Sequence, residues 1–85
     1  MIKSAAIKRI ADGKIWTGRR HGDIVYELVI HEGVDYVTPK NFIYGFISES
    51  QGFVDRETAL TIAKQYGQVS LNDPSISLHS EMLIL

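Results

Sequence analysis

The sequence predicts an α+β domain in which a small antiparallel sheet, made of an N-terminal hairpin plus central and C-terminal strands, packs with two helices. Three observations point there. An Asp-Gly pair, Asp12-Gly13, separates two short β-tolerant stretches, and that dipeptide favours the twist of a tight hairpin. The run Phe42-Ile-Tyr-Gly-Phe-Ile47 has the aromatic and β-branched character of a strand. Asp55 stands directly before an apolar pattern of helical period, Ala59, Leu60, Ile62, Ala63 and Tyr66, which Gly67 closes.

Taken in order, residues 3–10 and 14–17 form the hairpin. Asp23 is placed to cap a helix over Ile24–Glu32 with Gly33 as its stop, although Ile24, Tyr26, Leu28 and Ile30 also alternate as a strand would. Val34 to Lys40 is a connection, because Pro39 has no backbone N–H for a central strand and pushes Thr38 into extended geometry. Ser48-Glu-Ser-Gln-Gly52 has turn composition, so Phe53-Val54 can pair back before the Asp55 helix, and Val54 can staple against its first turn. Asn72-Asp-Pro74 is a further turn, and Met82-Leu-Ile-Leu85 is either a last edge strand or an interface tail.

The 85 residues contain no repeat and no low-complexity linker and make one domain, residues 1–85. A core of that size is modest, so self-association would help bury apolar surface and a homo-oligomer is expected. The chain has no cysteine, which removes disulfides, thiolate metal sites and cysteine nucleophiles and suits a reducing cytosol. No run is long enough for a signal core or a membrane span, so a soluble, intracellular protein with no membrane partner is expected.

Net charge is −1, yet residues 1–20 hold six of the nine Lys and Arg against the single acid Asp12, giving +5 there and −6 over the rest. Gripping duplex DNA needs many phosphates neutralised, whereas a compact anion needs two or three well-placed cations. Duplex nucleic acid is therefore disfavoured as a partner. A basic end that meets an acidic face of a neighbouring subunit accounts for the segregation equally well.

Within the basic end, Thr17-Gly-Arg-Arg-His-Gly-Asp23 sets Arg19, Arg20 and His21 between glycines just ahead of the first predicted helix. It lacks the glycine spacing and the Lys-Ser/Thr ending of a phosphate-binding P-loop. A second arginine, Arg56, opens the later helix, where free N–H groups and the macrodipole favour an anion. The competing role for Arg56 is an ion pair with Asp55 or Glu57 on a solvated turn. Phe46 and Phe53 flank the Gly52 turn and could stack a base, with Tyr44 on the Phe46 strand face; for each of them, as for Trp16, a place in the core is the favoured reading. His21, His31 and His79 show no i, i+4 pairing for a metal, and His21 with Asp23 has no activated nucleophile beside it. Neither a cofactor, a metal nor catalysis is expected.

The order IKSAAIK, GKIW-TGRRHGDI, GFISE, GFVDRETAL, YGQV and HSEMLIL resembles a family of small phage and prophage proteins that includes the Thoeris anti-defence sponges. Those sponges hold cyclic ADP-ribose signals without cutting them, assemble as oligomers, and in some cases also capture cyclic oligonucleotides. The resemblance implies ligand contact by Arg19, Arg20 and His21 in the first motif and by Asp55 and Arg56 in the second. The Ser48–Gly52 turn is shorter than that pattern, as is the chain. On this basis the expected activity is sequestration of a small phosphorylated nucleotide; a phage inhibitor acting by direct binding to a host defence protein is the alternative, ahead of a single-stranded nucleic-acid binder.

Overall fold

The computed structural model describes residues 1–83 and has the element order β1 (Ile2–Arg9), β2 (Ile15–Gly18), α1 (His21–Ile30), β3 (Phe42–Ser48), β4 (Gly52–Asp55) and α2 (Arg56–Gln65), followed by a 3-10 turn at Ser80–Met82. The four strands form one antiparallel sheet in the order β2-β1-β3-β4. This is the α+β architecture that the sequence predicts.

The β1–β2 hairpin closes where Asp12-Gly13 placed it. Gly13 adopts φ +74° and donates its N–H to the Arg9 carbonyl at 2.8 Å, while the Asp12 carboxylate takes the Lys14 N–H at 3.1 Å. A side chain at the Gly13 position would strain that left-handed turn.

Strand alternation then divides the sheet into two faces. Ala5 and Ile7 on β1, Phe42 and Phe46 on β3 and Val54 on β4 point to one side, where they meet Ile24 and Leu28 of α1 and Ala59, Leu60, Ile62 and Ala63 of α2 in one core. Both helices thus cover the same face. Leu78 and Leu83 seal the core from the C-terminal side, the Leu78 N–H bonding to the Arg56 carbonyl at 3.0 Å. Gln68 acts as a one-residue strand for the start of β1, accepting the Ile2 N–H at 2.8 Å and donating to the Ile2 carbonyl at 2.9 Å.

Helix α2 begins as expected: Asp55 accepts the Thr58 N–H at 2.8 Å as a side-chain cap. Helix α1 does not. It starts at His21, two residues before the predicted cap, so Asp23 lies in the first turn and Arg20 occupies the cap position without a side-chain capping bond. The missing cap is replaced from afar by Ser80, whose buried hydroxyl accepts the His21 N–H at 3.2 Å. At the other end Met82 belongs to the 3-10 turn rather than to an edge strand, and Ile84 and Leu85, the rest of that predicted strand, lie outside the described residues.

Candidate functional site

Strand register carries Arg56 to its neighbours. Asp55 pairs with Gly45, so the next residue, Arg56, emerges beside Tyr44 just as β4 turns into α2. Its guanidinium carbon lies 5.1 Å from the centre of the Tyr44 ring, within the range of a cation–π contact. Tyr44 in turn packs on His21, with ring centres 5.1 Å apart, and His21 meets Phe46 edge-on at 5.0 Å. A cation, two aromatic rings and an imidazole thus form a continuous stack from the surface into the core.

Arg56 makes no ion pair with Asp55 or Glu57; among the described residues the ion pairs are Arg9–Asp12 and His31–Glu27. Its Nε is fully buried and has no hydrogen-bond partner among the described residues, an arrangement that is costly for so polar a group. The side chain borders a cleft of about 500 Å³ whose other walls are Val37, Pro39, Phe42, Ile43 and Tyr44. One guanidinium on an otherwise apolar concave surface suits a ligand with a compact anionic group attached to a ring. Val37 and Pro39, which the sequence marks only as a connection, are brought to this wall by the fold.

A larger cleft of about 640 Å³ opens on the other side of Phe42 and includes Arg9, Tyr36 and Lys40. Its arginine is already committed. Arg9 holds Asp12 through a two-pronged contact of 2.9 and 2.6 Å and lies over the Trp16 ring, and that contact keeps the Asp12 carboxyl well below the usual carboxylate range. Lys40 makes no ion pair among the described residues but shares that larger cleft with Asp35, whereas no carboxylate lines the Arg56 cleft.

The remaining predicted site residues separate. Arg19 is exposed and Arg20 half-buried, with one Arg20 nitrogen turned back to the Arg19 carbonyl at 3.2 Å. Neither lines the Arg56 cleft. The groove beside them, between β2 and α1, is walled by Trp16, Asp23 and Glu27, and two carboxylates there repel an anion. The two arginine motifs therefore do not share a cleft within one protomer.

His21 and Phe46 belong to the core. Phe46 is 0% exposed and His21 only 7%, and His21 Nε2 donates to the Gly45 carbonyl at 2.8 Å. Burial pushes the imidazole below its ordinary 6.5; the Arg56 charge acts in the same direction and the bond to Gly45 opposes it. Phe53 sits on the opposite, helix-free face of the sheet, since it pairs with Ile47 rather than with a core residue. Asp55 shares that face, and its carboxylate is engaged in capping α2, which also holds its pKa below the usual value.

A consequence for stability follows from His21. The unfolded chain protonates this imidazole near pH 6.5, whereas the folded protein resists protonation until lower pH. In that window the unfolded state binds more protons, so stability is complete above it and falls as pH decreases through it. Urea unfolding between about pH 7 and pH 5 is expected to show this decline, and His21→Gln, which keeps a donor but does not titrate, is expected to flatten it.

Among the described residues no helix is long and apolar enough to cross a membrane, and no three His, Asp or Glu side chains gather in an arrangement that could hold a metal ion. No curated protein and no solved structure matches the chain. A family model described as Phage T4 y16D protein does match, over residues 1–84. That span takes in both arginine motifs, all four strands and both helices, and the chain therefore belongs to the Phage T4 y16D protein family.

Proposed function

We propose that this small phage-family protein captures a phosphorylated nucleotide signal of the cyclic ADP-ribose type, with cyclic oligonucleotides as a related ligand class, and holds it without cleaving it. The observation that carries this reading is the Arg56 guanidinium, laid on Tyr44 at the mouth of a cleft with no carboxylate partner among the described residues. In the bound state its outer N–H groups fork onto a phosphate. Val37, Pro39 and Ile43 supply apolar surface against which a base or ribose is shielded.

Magnitudes limit what one protomer does. Sequestration against a cellular effector needs roughly nanomolar affinity, about −12 kcal/mol. An arginine–phosphate contact contributes about 1.5–3 kcal/mol and a stacked base about 1–3 kcal/mol, so tight capture requires enclosure of the remaining ligand surface by a second copy, which could also bring its own Arg19 and Arg20. Incubating the protein with cyclic ADP-ribose isomers and then heat-denaturing it separates capture from catalysis. Intact nucleotide is expected in the supernatant; degraded nucleotide contradicts the proposal.

One further observation favours inhibition of a host protein as a second reading. Tyr26, Val29 and Ile30 are 61%, 40% and 58% exposed along the outside of α1, with Asp23 and Glu27 beside them, an apolar stripe with an acidic flank of the kind that docks on a protein surface. Under this reading no nucleotide raises the melting temperature, while a purified host protein forms a complex that Ile30→Lys abolishes.

A further inference from the structure

The sheet has one face covered by both helices and one face on which neither helix packs. Register places on that second face Ile15 and Thr17 of β2, Ser4 and Lys8 of β1, Ile43 and Ile47 of β3, and Phe53 and Asp55 of β4. Four large apolar side chains on a solvent face are unusual for an antiparallel sheet, whose open side is ordinarily polar. Ile15 and Ile43 remain 38% and 41% exposed.

The face is also low in relief. Its centre is built from Ala6 and Gly45, which pair across β1 and β3. The Phe53 ring folds down over Gly45, so that a Cβ there would lie 2.6 Å from Phe53 Cζ. A flat apolar surface of this kind matches another flat surface better than it matches a protruding loop or a small ligand.

Its two charges choose the partner. Lys8 stretches over the Phe53 ring, its Nζ 5.5 Å from the ring centre, and Asp55 spends one oxygen on the Thr58 N–H; among the described residues neither makes an ion pair. They have opposite sign and sit on different strands of the same face. A two-fold axis that lays two such faces together can set Lys8 of each copy against Asp55 of the partner subunit, which forms two equivalent ion pairs over one shared apolar layer. We infer that the open sheet face is the interface of a homodimer, with a second copy of this chain as its occupant. Ile43 borders both this face and the Arg56 cleft, but the inference does not rest on the nucleotide reading, because dimerisation is measured with no nucleotide present.

Area sets the strength of the association. Four strands spaced by about 4.8 Å and some five residues deep give a face of roughly 20 by 17 Å, smaller than the roughly 800 Å² per partner of a standard stable interface. The dimer is therefore reversible and concentration-dependent rather than obligate.

Sedimentation equilibrium on the full chain, from low-micromolar to near-millimolar protein, tests the inference. The wild type is expected to pass from monomer to dimer within that range. Lys8→Glu, which turns both ion pairs into repulsions, and Ile47→Lys, which places a charge in the apolar layer, are each expected to weaken dimerisation by about tenfold or more. Combining Lys8→Glu with Asp55→Lys is expected to recover part of the loss, a response that general destabilisation does not give; Lys8→Gln serves in place of Lys8→Glu if circular dichroism shows the latter unfolded. A wild type that stays monomeric at the highest concentration overturns the inference. So does an assembly that Lys8→Glu and Ile47→Lys leave intact but Ile30→Lys disrupts, which would move the interface to the outer stripe of α1.

Discussion

Replacing Phe46 by alanine is expected to lower the free energy of unfolding by about 3–5 kcal/mol. The ring is fully buried between the sheet and both helices and carries the edge-on contact with His21 at 5.0 Å. Its removal leaves a cavity that β3, paired on both edges with β1 and β4, cannot collapse to fill. For a domain of this size that loss is a large fraction of total stability, so the denaturant midpoint should fall steeply while the slope of the transition is kept. A ring that served as an open stacking platform would behave differently. Its truncation would leave the midpoint near the wild-type value and change only ligand affinity.

Gly45→Ala is expected to cost up to about 3 kcal/mol, for the opposite reason. A Cβ at this position is driven onto the Val54 carbonyl and lies 2.6 Å from Phe53 Cζ. The phenyl ring can swing away, but the carbonyl belongs to the β3–β4 ladder and cannot yield without breaking register. Because the Gly45 carbonyl is also the acceptor for His21 Nε2, any shift of the strand loosens the imidazole that supports Tyr44. Thermal or urea unfolding of the variant measures the cost; a midpoint within experimental error of the wild type would show that β3 and β4 do not approach so closely.

Those two residues also show how far the sequence could be followed. Local signals carried the hairpin, because Asp12-Gly13 acts within four residues, and carried α2, because Asp55 caps it with its own side chain. The start of α1 was not legible. The acceptor that satisfies its first N–H is Ser80, 59 residues away, and only tertiary structure reveals such a cap.

The site shows the same division. Arg56 could be picked out as a cation at a helix start, and the weakness of its local alternative, pairing with Asp55 or Glu57, emerged only with the side chains in place. Grouping His21, Phe46 and Phe53 as ligand contacts treated one strand and one turn as a single surface. Alternation sends Phe46 into the core and Phe53 to the open face, and the Gly45–Asp55 register, not any motif, sets Arg56 on Tyr44. Tyr44 was visible as the residue two places before Phe46. What marked it as the better-placed ring was the neighbour that pairing gave it.

The proposed capture of a phosphorylated nucleotide rests on the Arg56 guanidinium, which borders its cleft with no carboxylate partner among the described residues. Isothermal titration of cyclic ADP-ribose isomers and cyclic di- and trinucleotides into wild type and Arg56→Ala tests that claim most directly. The account predicts saturable binding of at least one of these nucleotides, weakened about tenfold to a hundredfold in the variant by loss of one charge-assisted contact, with both proteins folded to the same extent. Wild-type binding that Arg56→Ala leaves unchanged, or no binding across the whole set, would contradict it.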